Sequence, residues 1–193
     1  MKRLAWRIVL AGMLLLLNAC ASHTFAGVMH DPASTVTDFT LIDESGASFS
    51  LSDLRGRWIL LTYGYTHCPD VCPLTLAHLR DVKKRLNLGN AELTVVFVTI
   101  DPERDTLDTL RQYIGHFDAE FKGLTGNAEQ IAQAATAFNV KYEKQASDSA
   151  AGYSMAHTAY IFAIDPQLQL RVTYPYEVMP DEIVADLQYM QTQ

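Results

Sequence analysis

The chain has 193 residues, of which 49% are apolar, 10% aromatic and 19% charged, the balance of one folded globular domain rather than of a disordered or repeat protein. Its 15 Lys and Arg against 22 Asp and Glu leave a formal charge of −7, so no excess of cations exists to neutralise a run of phosphates, and nucleic acid is not an expected partner. Three cysteines in a chain of this length make neither a disulfide scaffold nor a multi-finger zinc protein, so each needs its own explanation.

Residues 1–19 read as an export signal. Lys2, Arg3 and Arg7 precede the uncharged run Ile8 to Leu17, and Leu17-Asn18-Ala19-Cys20 follows at once. A ten-residue helix spans about 15 Å, roughly half of a ~30 Å hydrocarbon core, so permanent membrane spanning is the poorer reading. Leu-Asn-Ala-Cys resembles the lipobox of bacterial lipoproteins, which implies cleavage before Cys20 and acylation of its thiol. Several acyl chains at ~0.8 kcal/mol per buried CH₂ would anchor the protein to a membrane stably. Loss of Lys2, Arg3 and Arg7 with the signal leaves 12 cations against 22 anions, a net charge of −10. Residues 20–35 are then the lipidated cysteine and a flexible tether, small and polar with Pro32, and residues 36–193 form the domain.

Within the domain, Phe39 to Asp43 and Ala47 to Leu51 alternate around Glu44-Ser45-Gly46 and predict a hairpin. Trp58 to Tyr65 and Leu93 to Ile100 are near-continuous apolar runs, as expected of strands covered on both faces. Between them, Leu76, Leu79, Val82, Lys83 and Leu86 mark one stripe of a helix over Pro73 to Leu86. Asp105 reads as the N-cap of a helix carrying Leu107, Leu110 and Ile114, and Asn127 with Gln130 caps another built on Ile131, Ala134, Ala135 and Phe138. His157 to Ile164 and Leu168 to Tyr174 are strands about the turn Asp165-Pro166-Gln167, and a helix over Asp181 to Met190 closes the chain. Strands separated by helices predict an α/β fold, a sheet with helices on its faces.

The segment Tyr63-Gly64-Tyr65-Thr66-His67-Cys68-Pro69-Asp70-Val71-Cys72-Pro73 lies where a buried strand ends and a helix begins, the place where active sites of open α/β sheets form. Pro73 at the first helical position makes Cys72 the N-cap, facing free backbone N–H groups and the positive end of the helix dipole, which favour a thiolate. Two sulfurs four residues apart can converge on one ion or form a disulfide, and their spacing differs from the thioredoxin-type Cys-x-x-Cys. Two sulfurs leave a copper or zinc ion short of a donor, and softness favours Cu(I) where thiolates dominate. Among the six histidines, His23 and His30 lie in the tether, His116 at a helix end and His78 on a helix flank. His67 adjoins Cys68 but points away in an extended segment. His157 opens a strand after a loop of the kind that carries binding residues, so His67 and His157 both remain candidates.

From Asp38 onward the chain resembles the Sco/SenC family. The cysteine segment carries the resemblance, with Val98-Thr99-Ile100-Asp101-Pro102-Glu103-Arg104-Asp105-Thr106 and Phe121-Lys122-Gly123-Leu124-Thr125-Gly126 as second and third motifs. The resemblance implies a thioredoxin-like fold, here a central mixed sheet flanked by helices with an N-terminal hairpin extension. It also implies one copper ion held by Cys68, Cys72 and His157, and a role in assembling the CuA site of cytochrome c oxidase. The expected partners are the CuA subunit and, beside it, other periplasmic copper chaperones or thiol reductants. The expected location is the membrane surface facing the periplasm or cell exterior. Members often carry an acidic residue just before the histidine, and this chain has Ala156. Asp101, Glu103, Arg104 and Asp105 read as a strand end with a salt bridge, Asp70 as shaping the cysteine loop, and Met155, Tyr63, Tyr65 and Tyr153 as packing around the site. The rival function is a thiol-disulfide oxidoreductase using Cys68 and Cys72 as a redox pair. A thiol peroxidase is weaker, since nothing marks a peroxide pocket.

Overall fold

The computed structural model describes residues 23–146 and 152–192. The export signal and Cys20 lie outside the described residues. Among the described residues ten strands occur in the order β1 (Val28–Thr35), β2 (Thr40–Asp43), β3 (Ser48–Ser50), β4 (Trp58–Gly64), β5 (Leu93–Thr99), β6 (Lys122–Thr125), β7 (Tyr142–Ala146), β8 (Tyr153–His157), β9 (Tyr160–Ile164) and β10 (Gln169–Pro175). Four helices, α1 (Val71–Leu86), α2 (Leu107–Gly115), α3 (Ala128–Ala137) and α4 (Pro180–Gln191), complete the fold, with a short 3₁₀ turn at Leu51–Leu54. Eight strands form one mixed sheet in the order β1-β10-β9-β4-β5-β6-β2-β3, parallel at β4/β5 and β5/β6 and antiparallel elsewhere; β7 and β8 pair only with each other.

The continuous apolar runs are the central strands. Every residue of β4 and β5 is buried, because helices cover both faces of the sheet there. Alternation assigns the faces. Tyr63 points to α3, where its hydroxyl donates to the Ala134 carbonyl at 2.6 Å. Gly64, one residue on, faces α1, and Phe97 on the same side meets Tyr113 of α2 at 5.7 Å between ring centres. The α1 stripe, Leu76, Leu79 and Val82, is fully buried. The α3 capping box forms as read: Asn127 Oδ1 accepts from the Gln130 N–H and Gln130 Oε1 from the Asn127 N–H.

Four sequence expectations need correction. Residues Val28 to Thr35 are not tether but the edge strand β1, paired with β10 from Val28↔Thr173 to Thr35↔Gln169 through an irregularity between Met29 and Ser34. An edge strand with most of its residues exposed shows no alternation, and Pro32 is tolerated where ladder bonds are missing. The chain is fastened even earlier. His23 Nε2 lies 2.6 Å from Asp186 Oδ1, its ring stacks on Tyr189, and the Ala26 N–H donates to Asp186 Oδ2.

Helix α1 begins at Val71 with Asp70 as N-cap, not at Pro73 with Cys72 as N-cap. The first helical bond runs from the Leu74 N–H to the Asp70 carbonyl, so Pro73 still sits where a missing N–H costs nothing. The N-cap of α2 is Thr106, whose Oγ1 accepts from the Thr109 N–H at 3.2 Å, rather than Asp105. Finally, His157 does not open the strand that continues to Ile164. It ends β8, in a separate hairpin with β7, and β9 starts at Tyr160.

Candidate metal centre

Strand β4 delivers the chain to the carboxyl end of the sheet, and the loop from Tyr65 to Asp70 turns it into α1. Gly64 allows the close approach this needs. A Cβ there would stand 2.7 Å from Cys72 Sγ and 2.7 Å from Phe97 Cε2. Cys72, in the first turn of α1, is 3% exposed, whereas Cys68 on the loop is half-buried; neither is in a disulfide.

The Cys72 N–H, one of the orphan donors of the helix start, points at Cys68 Sγ at 3.4 Å. Thus Cys68, not Cys72, is the sulfur that helix amides stabilise. The Cys72 thiol donates to Cys68, and this hydrogen bond is the largest cause lowering the Cys68 pKa, to about 5; burial opposes it, and the Cys72 and Asp70 backbone amides and His157 add to it. The same hydrogen bond, then burial and the Cys68 charge, push the Cys72 thiol far above its ordinary value. The pair is therefore one thiolate and one thiol at neutral pH. Alkylation of Cys68 by iodoacetamide is expected to stay fast down to about pH 5. Below that the thiolate protonates and the rate falls about tenfold per pH unit. A rate that already falls between pH 9 and 8, as for an ordinary thiol, would contradict the assignment.

His157 reaches the pair from β8. Its Nε2 lies 3.9 Å from Cys72 Sγ, and its Nδ1 lies 3.0 Å from the Thr158 carbonyl. A carbonyl only accepts, so Nδ1 carries a proton, and Nε2 is the ring nitrogen turned toward the sulfur. The Tyr65 ring meets the imidazole edge-on at 6.3 Å.

The loop is held from below by Asp105. This carboxylate, 1% exposed, accepts from the Thr66 N–H at 3.0 Å, the Thr66 hydroxyl at 2.6 Å and the Thr99 hydroxyl at 2.5 Å. In the sequence Asp105 reads as a cap, since a carboxylate stands before an apolar stripe; the one distant signal is the threonine in the cysteine segment.

Of the residues singled out in the sequence, the structure brings Cys68, Cys72 and His157 together. His67 is turned outward, 3.1 Å from Thr66 Oγ1. His30 bonds Thr173, His78 bonds the Val178 carbonyl, and His116 ends α2. Met155 lines a cavity of about 490 Å³ behind the hairpin, with Ile100, Ile131 and Tyr142, and none of the three donors lines that cavity. Ala156 stands opposite Glu143 in the hairpin register, so a carboxylate remains on that face. Asp101 pairs with Arg104 at 2.5 Å as the local salt bridge read from the sequence.

Two sulfurs and an imidazole suit a soft ion, and the same two sulfurs suit a disulfide. No three His, Cys, Asp or Glu side chains among the described residues are already closed into a metal cage. Loading a metal on the pair would displace the Cys72 proton.

Residues 28–192 match the sequence pattern of SCO1/SenC. A "SCO2-like protein" of Rickettsia felis is 35% identical over 151 residues, 78% of this chain and 74% of the relative. "Protein SCO2 homolog, mitochondrial" of Bos taurus is 39% identical over 131 residues, 67% of this chain; the match spans only 49% of that protein. The structure of Bradyrhizobium japonicum ScoI with copper bound superposes with a TM-score of 0.73 at 32% identity, covering 81% of this chain and 99% of the other. With the pattern spanning nearly the whole described domain and the fold shared, this chain belongs to the SCO1/SenC family.

Proposed function

We propose that this protein is a copper metallochaperone, exported and tethered to a membrane through Cys20, that holds one copper ion on Cys68, Cys72 and His157 and passes it to the CuA subunit of cytochrome c oxidase. The observation that carries this reading is the convergence of three metal-competent donors from segments 85 residues apart, Cys72 Sγ and His157 Nε2 at 3.9 Å, beside a helix-stabilised thiolate. Copper in the 32% identical ScoI structure supports the choice of ion. Other periplasmic copper chaperones are candidate donors to the site, and thiol reductants are candidate keepers of its dithiol state.

The residues divide the work. Cys68, half-buried and ionised, meets the incoming ion first. Cys72 follows and loses its proton to solvent, so loading releases about one proton near neutral pH. His157 supplies the third donor from a hairpin outside the main sheet. Delivery is ligand exchange: a recipient thiolate or imidazole replaces one donor at a time, with no net change in oxidation state. In reduced full-length protein, copper(I) is expected at one per chain, and is expected to be lost in the Cys68→Ala/Cys72→Ala double variant. Full stoichiometry surviving both changes would overturn the proposal.

A second reading has its own support in the thiolate–thiol asymmetry. Cys68 could attack a partner disulfide, forming a mixed disulfide and expelling one partner thiol; Cys72 would then attack Cys68, expelling the second and leaving Cys68–Cys72 oxidised. His157→Ala separates the two readings. A reductase survives that change, whereas tight copper binding does not.

A further inference from the structure

Among the described residues the hairpin that presents His157 joins no larger sheet: β7 and β8 pair there only with each other, so main-chain pairing does not fix where it lies over the cysteine pair. Its side chains do. In the register Tyr142↔His157, Lys144↔Met155 and Ala146↔Tyr153, alternate residues share a face, so Tyr153, Met155 and His157 all point the same way. At the far end of that face Tyr153 is gripped by the loop between β5 and α2. The Arg104 guanidinium lies 3.6 Å from the Tyr153 ring centre and donates from a terminal nitrogen to the Tyr153 carbonyl at 3.1 Å. Arg104 Nε donates to one oxygen of Asp101 at 2.5 Å, and the other oxygen of Asp101 accepts the Tyr153 hydroxyl at 2.8 Å. Asp101 is 3% exposed, so its two contacts are shielded at the carboxylate and stronger than a surface ion pair. The neighbouring Lys144–Glu103 pair, 2.7 Å but well exposed, adds little as an ion pair, while Lys144 Nζ itself lies 3.9 Å from the Tyr153 ring centre.

One further contact gives the arrangement its meaning. Asp105, in the same loop, holds the cysteine segment through Thr66. The five residues from Asp101 to Asp105 therefore grip both donor-bearing segments, one at each end.

We infer that Arg104, with Asp101 and Tyr153, is a positioning device that sets His157 at its working distance from Cys68 and Cys72. The inference rests on the ligand assignment above. The Arg104 guanidinium also lies 5.7 Å from the Tyr65 ring centre, and Tyr65 meets the His157 ring, so Arg104 acts on His157 through the hairpin and through Tyr65. A lysine cannot replace it, because an ammonium group has neither the planar face that stacks on Tyr153 nor the fork that serves two acceptors.

The test uses the reduced full-length chain. Copper(I) competition titrations compare the wild type, Arg104→Ala, Arg104→Lys, Tyr153→Phe and His157→Ala, and the Arg104→Ala/His157→Ala double variant. Amide hydrogen exchange and the nuclear Overhauser contact between the His157 and Tyr65 rings are followed in the metal-free wild type and single variants. Arg104→Ala is expected to weaken copper(I) binding ten- to a hundredfold, Arg104→Lys nearly as much, and Tyr153→Phe, which loses one hydrogen bond, less. In the His157→Ala background Arg104→Ala is expected to add no further loss, the non-additivity of a residue that acts through another. Without metal, amides of β7 and β8 should exchange at least about tenfold faster in Arg104→Ala while those of β4 and β5 keep their protection. An equal loss with and without His157, or unchanged hairpin exchange with the ring contact intact, overturns the inference. If the wild type takes up no copper, the ligand assignment fails instead, and the metal-free exchange still decides whether Arg104 holds the hairpin.

Discussion

Gly64→Ala is expected to weaken copper(I) binding at least about tenfold while leaving the protein folded, although the substitution adds one methyl group to a strand residue that touches no metal. The added Cβ would sit 2.7 Å from Cys72 Sγ and 2.7 Å from Phe97 Cε2. Neither the β4/β5 pairing nor the start of α1 can retreat without breaking the central sheet or the helix's first turn, so the short Cys72 side chain must rotate. Rotation carries the sulfur off the line to His157 and away from Cys68. Overpacking of this kind costs about 1–3 kcal/mol of stability, measurable as a lower urea midpoint. Unchanged affinity with unchanged stability would mean that Cys72 has room the structure does not show.

Asp105→Ala is expected to cost about 3–5 kcal/mol in denaturant unfolding, the scale for leaving several buried donors without their charged acceptor. The Thr66 N–H, Thr66 hydroxyl and Thr99 hydroxyl all donate to this carboxylate, and Thr99 lies in fully buried β5. With the acceptor gone, Thr66 loses its anchor and the loop carrying Cys68 is freed at its base. Asp105→Asn is expected to retain a larger share of the stability, since one amide oxygen still accepts, though without the charge that shortens and strengthens such bonds. A loss below about 1 kcal/mol in Asp105→Ala would show that the three donors find other partners.

Much of the scaffold was legible because burial on both faces leaves a plain mark: Trp58 to Gly64 and Leu93 to Thr99 are apolar almost without interruption and became the sheet centre. The Asn127–Gln130 capping box was equally plain, being local in sequence. What escaped was fixed by distant partners. Val28 to Thr35 carries no strand pattern and is ordered by pairing with β10, and His23 owes its place to Asp186, 163 residues on. The hairpin of Tyr142–Ala146 and Tyr153–His157 is polar and largely exposed on one side, so the residues before His157 read as loop and its first strand leaves no strand pattern.

The site divided in the same way. The Cys68–Cys72 spacing and the strand-to-helix position were visible in the residues themselves. His157 stood out from His67 only through the family resemblance, and the structure then gave it a place beside Cys72. Which sulfur ionises was not legible, because it depends on where the helix starts: Asp70 rather than Cys72 caps α1, and that shift of two residues turns the free helix amides toward Cys68. The work of the second motif was hidden as well, since Asp101, Arg104 and Asp105 exert it on Tyr153 and Thr66 across the fold.

X-ray absorption at the copper edge of the copper(I)-loaded, reduced full-length protein tests the ligand set most directly. Two sulfur scatterers and one imidazole around each copper in the wild type, with the imidazole signal lost in His157→Ala and both sulfurs retained, is the expected result. Copper surrounded by nitrogen and oxygen alone, or an imidazole signal that persists in His157→Ala, would contradict a site built from Cys68, Cys72 and His157.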